Sequence, residues 1–168
     1  IKIRLNSKII NLVTNKKLVN SIKKHTKKDL VKIHMPPMTR HSIPNNYFSE
    51  VPAHNDSQYN KHMKDFITAW IPLVKITKKC QGLRFYYKSK KKKIKEHKFF
   101  SNEKSSSVWM KPRIVKNYEL IDINSMNIGD VLIFNKNLIH KSLRNTSKIV
   151  RYSIDARYIS SKSVTKKS

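Results

Sequence analysis

The stretch Leu138-Ile-His-Lys-Ser-Leu-Arg-Asn-Thr-Ser-Lys-Ile-Val-Arg-Tyr-Ser-Ile-Asp-Ala-Arg-Tyr-Ile159 decides how this chain is read. Leu138 to Leu143 and Ile149 to Ile159 look like a strand pair, and Arg144-Asn-Thr-Ser147 between them is made of good turn formers. A hairpin centred there sets His140 directly opposite Arg151, since both stand equally far from the turn midpoint. Such partners share a face of the sheet, with Cβ atoms about 4.5–5.5 Å apart. Along the last strand Arg151, Ser153, Asp155 and Arg157 fall on one face, and Val150, Tyr152, Ile154, Ala156 and Tyr158 on the other. The polar row, aligned with His140, is expected to line a wet cavity inside a barrel.

Outward from this stretch the pattern stays mostly β. Phe66 to Leu73, Leu83 to Tyr87, Tyr118 to Ile123 and Val131 to Phe134 read as strands, with Asn127-Ile-Gly-Asp130 as a turn before the last of them. Leu30 to His34 alternates like a strand and stops at Pro36-Pro37, and residues 38–53 read as loop. Residues 5–25 carry Leu5, Ile9, Ile10, Leu12, Val13, Leu18, Val19 and Ile22 at helical spacing between lysines, which predicts one or two amphipathic helices. Short strands after a helical start indicate a mainly β protein with N-terminal helices, folded as a jelly-roll double sheet or barrel.

His54-x-Asp56 adds chemistry to this frame. Positions i and i+2 of an extended segment point the same way, so both side chains can face one metal ion. Two imidazoles and one carboxylate, here His54, Asp56 and His140, are the ligand set that holds non-haem Fe(II) in oxygenases with open positions opposite. An Arg151 guanidinium beside such a site suits the far end of a small dicarboxylate.

The chain has 168 residues, enough for one domain, and carries 37 Lys+Arg against 10 Asp+Glu for a net charge of +27. That charge alone is the footprint of a nucleic-acid binder. The excess is almost all lysine, however, and it comes with abundant Ile and Asn and only two glycines, the profile of an A/T-rich coding sequence. Arg, the residue favoured for bidentate phosphate contacts, is scarce. A nucleic-acid partner is therefore disfavoured, and a basic nucleic-acid-binding protein stays as the alternative reading. Cys80 is alone, so no intramolecular disulfide forms, and one Cys without a close His pair argues against a structural zinc site. No apolar run reaches membrane-span length and no signal peptide is visible, which leads to a cytoplasmic expectation. The chain begins at Ile1, and an N-terminal part is expected to be missing.

Pro52-Ala-His-Asn-Asp56, Thr68-Ala-Trp-Ile-Pro-Leu73, Gly82-Leu83, Gly129-Asp-Val-Leu-Ile-Phe134, His140-Lys-Ser142 and Arg151-Tyr-Ser-Ile-Asp-Ala-Arg157 together resemble the phytanoyl-CoA dioxygenase family, in the right order from about Pro52 to Tyr158. The resemblance implies a double-stranded β-helix (a cupin-like barrel) and an Fe(II)- and 2-oxoglutarate-dependent dioxygenase. Such an enzyme uses O2 to hydroxylate a small-molecule substrate, with succinate and CO2 as co-products. By the same resemblance His54, Asp56 and His140 are the iron ligands, Arg151 takes the distal carboxylate of 2-oxoglutarate, and Ser142 assists it. Trp70 stands where the family has a tryptophan near the co-substrate, and Thr68 shares its strand face. Asn55 replaces a common Gln, and Tyr87-Lys-Ser-Lys90 replaces a Pro-Gly-Ser-His turn. Asp56 is present, which disfavours the halogenating variants that lack the carboxylate. The single domain 1–168 is expected to carry a polar, lid-like insert at 88–117 and a basic tail at 160–168; the insert's lysines read first as a solvated loop and second as a contact for an anionic substrate. A catalytically inactive β-barrel that binds a ligand is the other alternative.

Overall fold

The computed structural model describes residues 6–27, 30–63, 65–87, 100–101, 108–109 and 115–160. Most of the insert expected at 88–117, and the tail beyond Ser160, lie outside the described residues. Asn6 and Asn15 each open a helix, α1 (Ser7–Val13) and α2 (Lys16–Thr26), by accepting backbone N–H bonds from Lys8 and from Lys17 and Leu18. These side-chain caps satisfy donors that the first turn leaves without a carbonyl. Among the described residues no helix is long and apolar enough to cross a membrane.

Among the described residues ten strands follow: β1 (Leu30–Ile33), β2 (Met38–Ser42), β3 (Phe66–Pro72), β4 (Leu83–Tyr86), β5 (Phe100–Ser101), β6 (Val108–Trp109), β7 (Leu120–Asp122), β8 (Leu132–Asn135), β9 (His140–Ser142) and β10 (Arg151–Ser160). The long β10 organises the larger sheet. One of its edges pairs with β3, which in turn pairs with β8. Its other edge takes β2 along Arg151–Asp155 and β1 along Tyr158–Ser160. The smaller sheet runs β7-β4-β9, and β5 pairs with β6. All these pairings are antiparallel, and the two main sheets form a double-stranded β-helix.

The helices cover the outer face of the larger sheet. Val13 and Ile22 pack there against Ile67, Ala69, Ile71, Ile154, Ala156 and Tyr158, all 7% exposed or less. A fully buried Ile contributes roughly 1.5–3 kcal/mol. The Tyr158 hydroxyl donates to the Val13 carbonyl at 2.7 Å, which fixes α1 to the sheet. With the apolar row of β10 under the helices, its polar row faces the space between the sheets. The alternation read from Arg151 to Tyr158 is thus correct in both faces.

Two expectations are overturned. The 138–143 and 149–159 segments are strands, but they do not form a hairpin: β9 pairs with β4 in one sheet, and β10 lies in the other. Asn145 makes the crossing possible. It is 2% exposed, its Nδ2 donates to the carbonyls of Ser42 and Ile149 at 2.8 Å each, and its Oδ1 accepts from Ser147. A side chain that satisfies the backbone in this way lets a connection pass from sheet to sheet instead of turning back on itself. The second error is the loop at 38–53. Met38–Ser42 is β2, an edge strand whose pairing comes from β10, over a hundred residues later, so nothing local announces it.

Candidate metal centre

His54 and His140 are themselves cross-strand partners. Each donates its backbone N–H to the other's carbonyl at 2.9 Å, an isolated antiparallel bridge that extends β9. The chain stays extended through Asn55 (φ −122°, ψ 152°) and then turns at Asp56, the first residue of a short 3-10 turn ending at Gln58. The expectation that His140 faces Arg151 across a ladder is replaced by this pairing of the two histidines. The bridge and the turn bring His54, Asp56 and His140 together, with one ligand atom from each lying within 4.8 Å of the others. Atoms so spaced lie roughly 3 Å or less from a common centre, a small adjustment away from bonds of about 2.0–2.2 Å.

The donor set fits a divalent metal ion. The Nδ1 atoms of His54 and His140 lie 2.8 and 3.0 Å from the carbonyl oxygens of Pro52 and Leu138. A carbonyl cannot donate, so each Nδ1 carries the proton and each Nε2 keeps a lone pair for the metal. His54 is buried, and burial, together with the neighbouring His140, pushes its imidazole down to about 3. It is therefore neutral and ready to ligate at neutral pH. Burial acts to raise the Asp56 carboxyl, but His140, His54, Arg157 and the Thr68 hydroxyl outweigh it and hold it below its ordinary value. Thr68 donates to Asp56 Oδ2 at 2.5 Å, while Oδ1 lies 3.8 Å from both His54 Nε2 and Arg157 Nη2. Phe134 and Tyr59 present ring edges to His140 and His54, with centroids 4.8 and 5.5 Å away.

A cleft of about 490 Å3, counted out to its mouth, opens beside these ligands. Thr68, Trp70, Ser142 and Arg151 all line it. Arg151 is only 4% exposed, and its Nη1 donates to the carbonyls of Gly82 and Leu143 at 3.0 and 3.3 Å and to that of Gln81. Its Nε is buried without a partner, and among the described residues no carboxylate pairs with it. Burial pulls this guanidinium below its ordinary value, yet an arginine stays charged. A buried cation with an unmatched donor is built to receive an anion. Ser142 faces Leu83 across β4 and β9. Trp70 packs on Gly82, where an added Cβ would sit 3.2 Å from Trp70 Cη2 and 3.0 Å from the Ile123 carbonyl. The Thr68 hydroxyl is directed to Asp56 and so orients its carboxylate.

Three polar residues of this region were not singled out as site residues. Arg157 and Asp155 stand on the face of β10 already read as polar, so their alternation with Arg151 was the available signal. Arg40 sits on β2, in the segment read as loop, and had none.

The sequence signature of the phytanoyl-CoA dioxygenase family matches residues 5–153. The chain is 35% identical over 112 residues to the 1-deoxypentalenic acid 11-beta-hydroxylase of Streptomyces arenae, covering 63% of this chain and 40% of that protein. The Streptomyces exfoliatus enzyme of the same name is 32% identical over the same extent. The chain thus spans about 40% of the length of these curated relatives. In fold it is similar to the non-haem alpha-ketoglutarate-dependent carbocyclase SnoK of nogalamycin biosynthesis, with a TM-score of 0.72 and 16% identity over 92% of this chain and 59% of that one. It is also similar to EvdO2 of Micromonospora carbonacea var. aurantiaca complexed with 2-oxoglutarate, with a TM-score of 0.70 and 11% identity over 91% of this chain and 63% of that one. The matched signature takes in His54, Asp56, His140 and Arg151, and this chain belongs to the phytanoyl-CoA dioxygenase family.

Proposed function

We propose that the protein is an Fe(II)- and 2-oxoglutarate-dependent dioxygenase that hydroxylates a small-molecule substrate, with succinate and CO2 as co-products. The observation that carries this reading is the shared cleft: two free Nε2 lone pairs and a carboxylate on one wall, and on another a buried guanidinium that no carboxylate pairs with among the described residues. His54, Asp56 and His140 would hold the iron, which when bound supplies the activation of O2 and the oxidising power. Arg151, with Ser142 beside β4, would bind the distal carboxylate of 2-oxoglutarate and so orient its keto-acid end toward the metal. Trp70 packs along that path and narrows it. Thr68 and Arg157 fix the Asp56 carboxylate, and the Phe134 and Trp70 rings that line the cleft would keep water away from the reacting atoms. No general acid or base is assigned, since the oxidising chemistry would come from the bound metal and does not require one. A cytoplasmic location is part of this proposal, in keeping with the single free Cys80.

Anaerobic titration with Fe(II) and 2-oxoglutarate tests the assignment. A weak visible charge-transfer band should appear in the parent protein, vanish in His140→Ala and require far more 2-oxoglutarate in Arg151→Ala. A band absent from the parent protein, or unchanged in both variants, overturns the proposal.

A further inference from the structure

The cleft contains a second guanidinium that neither the metal nor a dicarboxylate at Arg151 accounts for. Arg40 stands opposite Ser153 in the β2–β10 pairing and lines the cleft together with His54 and Asp56. Its Nε donates to Asp155 Oδ2 at 2.9 Å. This is a single contact, unlike the fork of Arg84, whose Nε and Nη2 take both oxygens of Asp122 at 2.6 and 2.7 Å. Both Nη groups of Arg40 therefore have no protein partner among the described residues, and the side chain is 35% exposed. Arg151 is the deep cation, closed in by three carbonyls; Arg40 is the accessible one. Its charge is felt at both Asp56 and His54, so it lies within electrostatic reach of the ligand triad.

We propose that Arg40 is a substrate-recognition residue, and that the molecule oxidised at this site carries a carboxylate which docks on its two Nη groups. The inference rests on the dioxygenase reading and adds a substrate class to it. Asp155 holds the Arg40 side chain by Nε alone, so the remaining edge is preorganised for a planar, two-oxygen anion. Fixing the carboxylate end fixes which carbon of the substrate faces the metal. A neutral analogue leaves the Nη pair unmatched when the cleft fills, and a site built to bond a polar group rejects ligands that lack it.

The test uses cyclohexanecarboxylate and the neutral cyclohexanecarboxamide as probes. The protein is loaded with diamagnetic Zn(II) and saturating 2-oxoglutarate, which occupies Arg151, and saturation transfer to each probe is read by NMR. The carboxylate should show transfer at least tenfold above the amide, and Arg40→Gln should abolish the difference. The Fe(II)–2-oxoglutarate band of Arg40→Gln should match the parent's, which also shows that the variant is folded. If Arg40→Gln lacks the band, Arg40→Lys is read instead; it keeps the charge beside Asp155, loses the fork, and should weaken carboxylate binding several-fold. Equal transfer to both probes, no transfer to either, or a carboxylate preference left undiminished by these substitutions overturns the proposal. A parent protein without the band sinks the dioxygenase reading, while the probe comparison still decides on Arg40.

Discussion

Asp56, a proposed metal ligand, is held from behind. Thr68 donates to Oδ2 at 2.5 Å, and Arg157 Nη2 stands 3.8 Å from Oδ1, so the carboxylate has little freedom to turn. Hydrogen bonds that orient a ligand are typically worth about 10–100-fold in metal affinity. Thr68→Val should therefore weaken Mn(II) or Fe(II) binding by about tenfold or more, while Thr68→Ser should keep most of it; metal titration by calorimetry measures both. His54 makes a pH prediction. Its imidazole is pushed down to about 3 in the fold, from an ordinary value of 6.5. A depressed folded value means that the unfolded chain takes up the proton first. The metal-free protein should keep this contribution above pH 6.5 and lose it progressively as the pH falls toward 3. Asp56, whose ordinary value is 3.8, acts in the same direction but only in the lower part of that window. Urea midpoints at pH 7 and pH 5 should differ in the parent and converge in His54→Gln.

At the scale of the element, Gly82 and β4 decide how the cleft is shaped. The Gly82 carbonyl accepts from Arg151 Nη1 at 3.0 Å, and its missing side chain leaves room for Trp70. Gly82→Ala would place a Cβ 3.0 Å from the Ile123 carbonyl, a backbone atom that does not move aside readily. Trp70 and β4 should shift together, and strain from such overpacking costs about 1–3 kcal/mol. The expected result is a lower denaturation midpoint with an order-of-magnitude loss in 2-oxoglutarate affinity, read from the charge-transfer band. β10 shows the complementary logic. Ile154 and Ala156, both 0% exposed, lie under the helices, while Arg151 and Ser153 face the cleft from the opposite side of the same strand. Alternation places core and site on one strand, so a one-residue slip would exchange them.

For the whole molecule the dominant physical quantity is the charge of +27. Self-repulsion of like charges opposes a compact state, and salt relieves it as the Debye length falls from about 30 Å at 0.01 M to about 8 Å at 0.15 M. The melting temperature should rise with NaCl over that range, to a similar extent in chloride and acetate. A fall with added salt would mean that attractive ion pairs, such as Arg84 with Asp122, outweigh the repulsion. Much of this molecule was legible in advance because its signals are local. Phe66–Pro72 is an apolar run broken only by Thr68, Arg151–Tyr158 alternates, Asn127–Asp130 turns, and the lysine-spaced apolar positions before Thr26 mark helices. His54-x-Asp56, His140 and Arg151 could be picked out by residue type and order. What local chemistry could not announce is pairing between distant segments. His140 finds His54 and not Arg151, β2 exists because β10 is there to receive it, and Arg40 enters the cleft only through that edge. The sequence by itself determined the helices, most of the strands and the types of residue that could hold a metal and a dicarboxylate. Only the tertiary structure decided which of them meet, because Asn145 satisfies the backbone at the crossing and so sends β9 and β10 into different sheets.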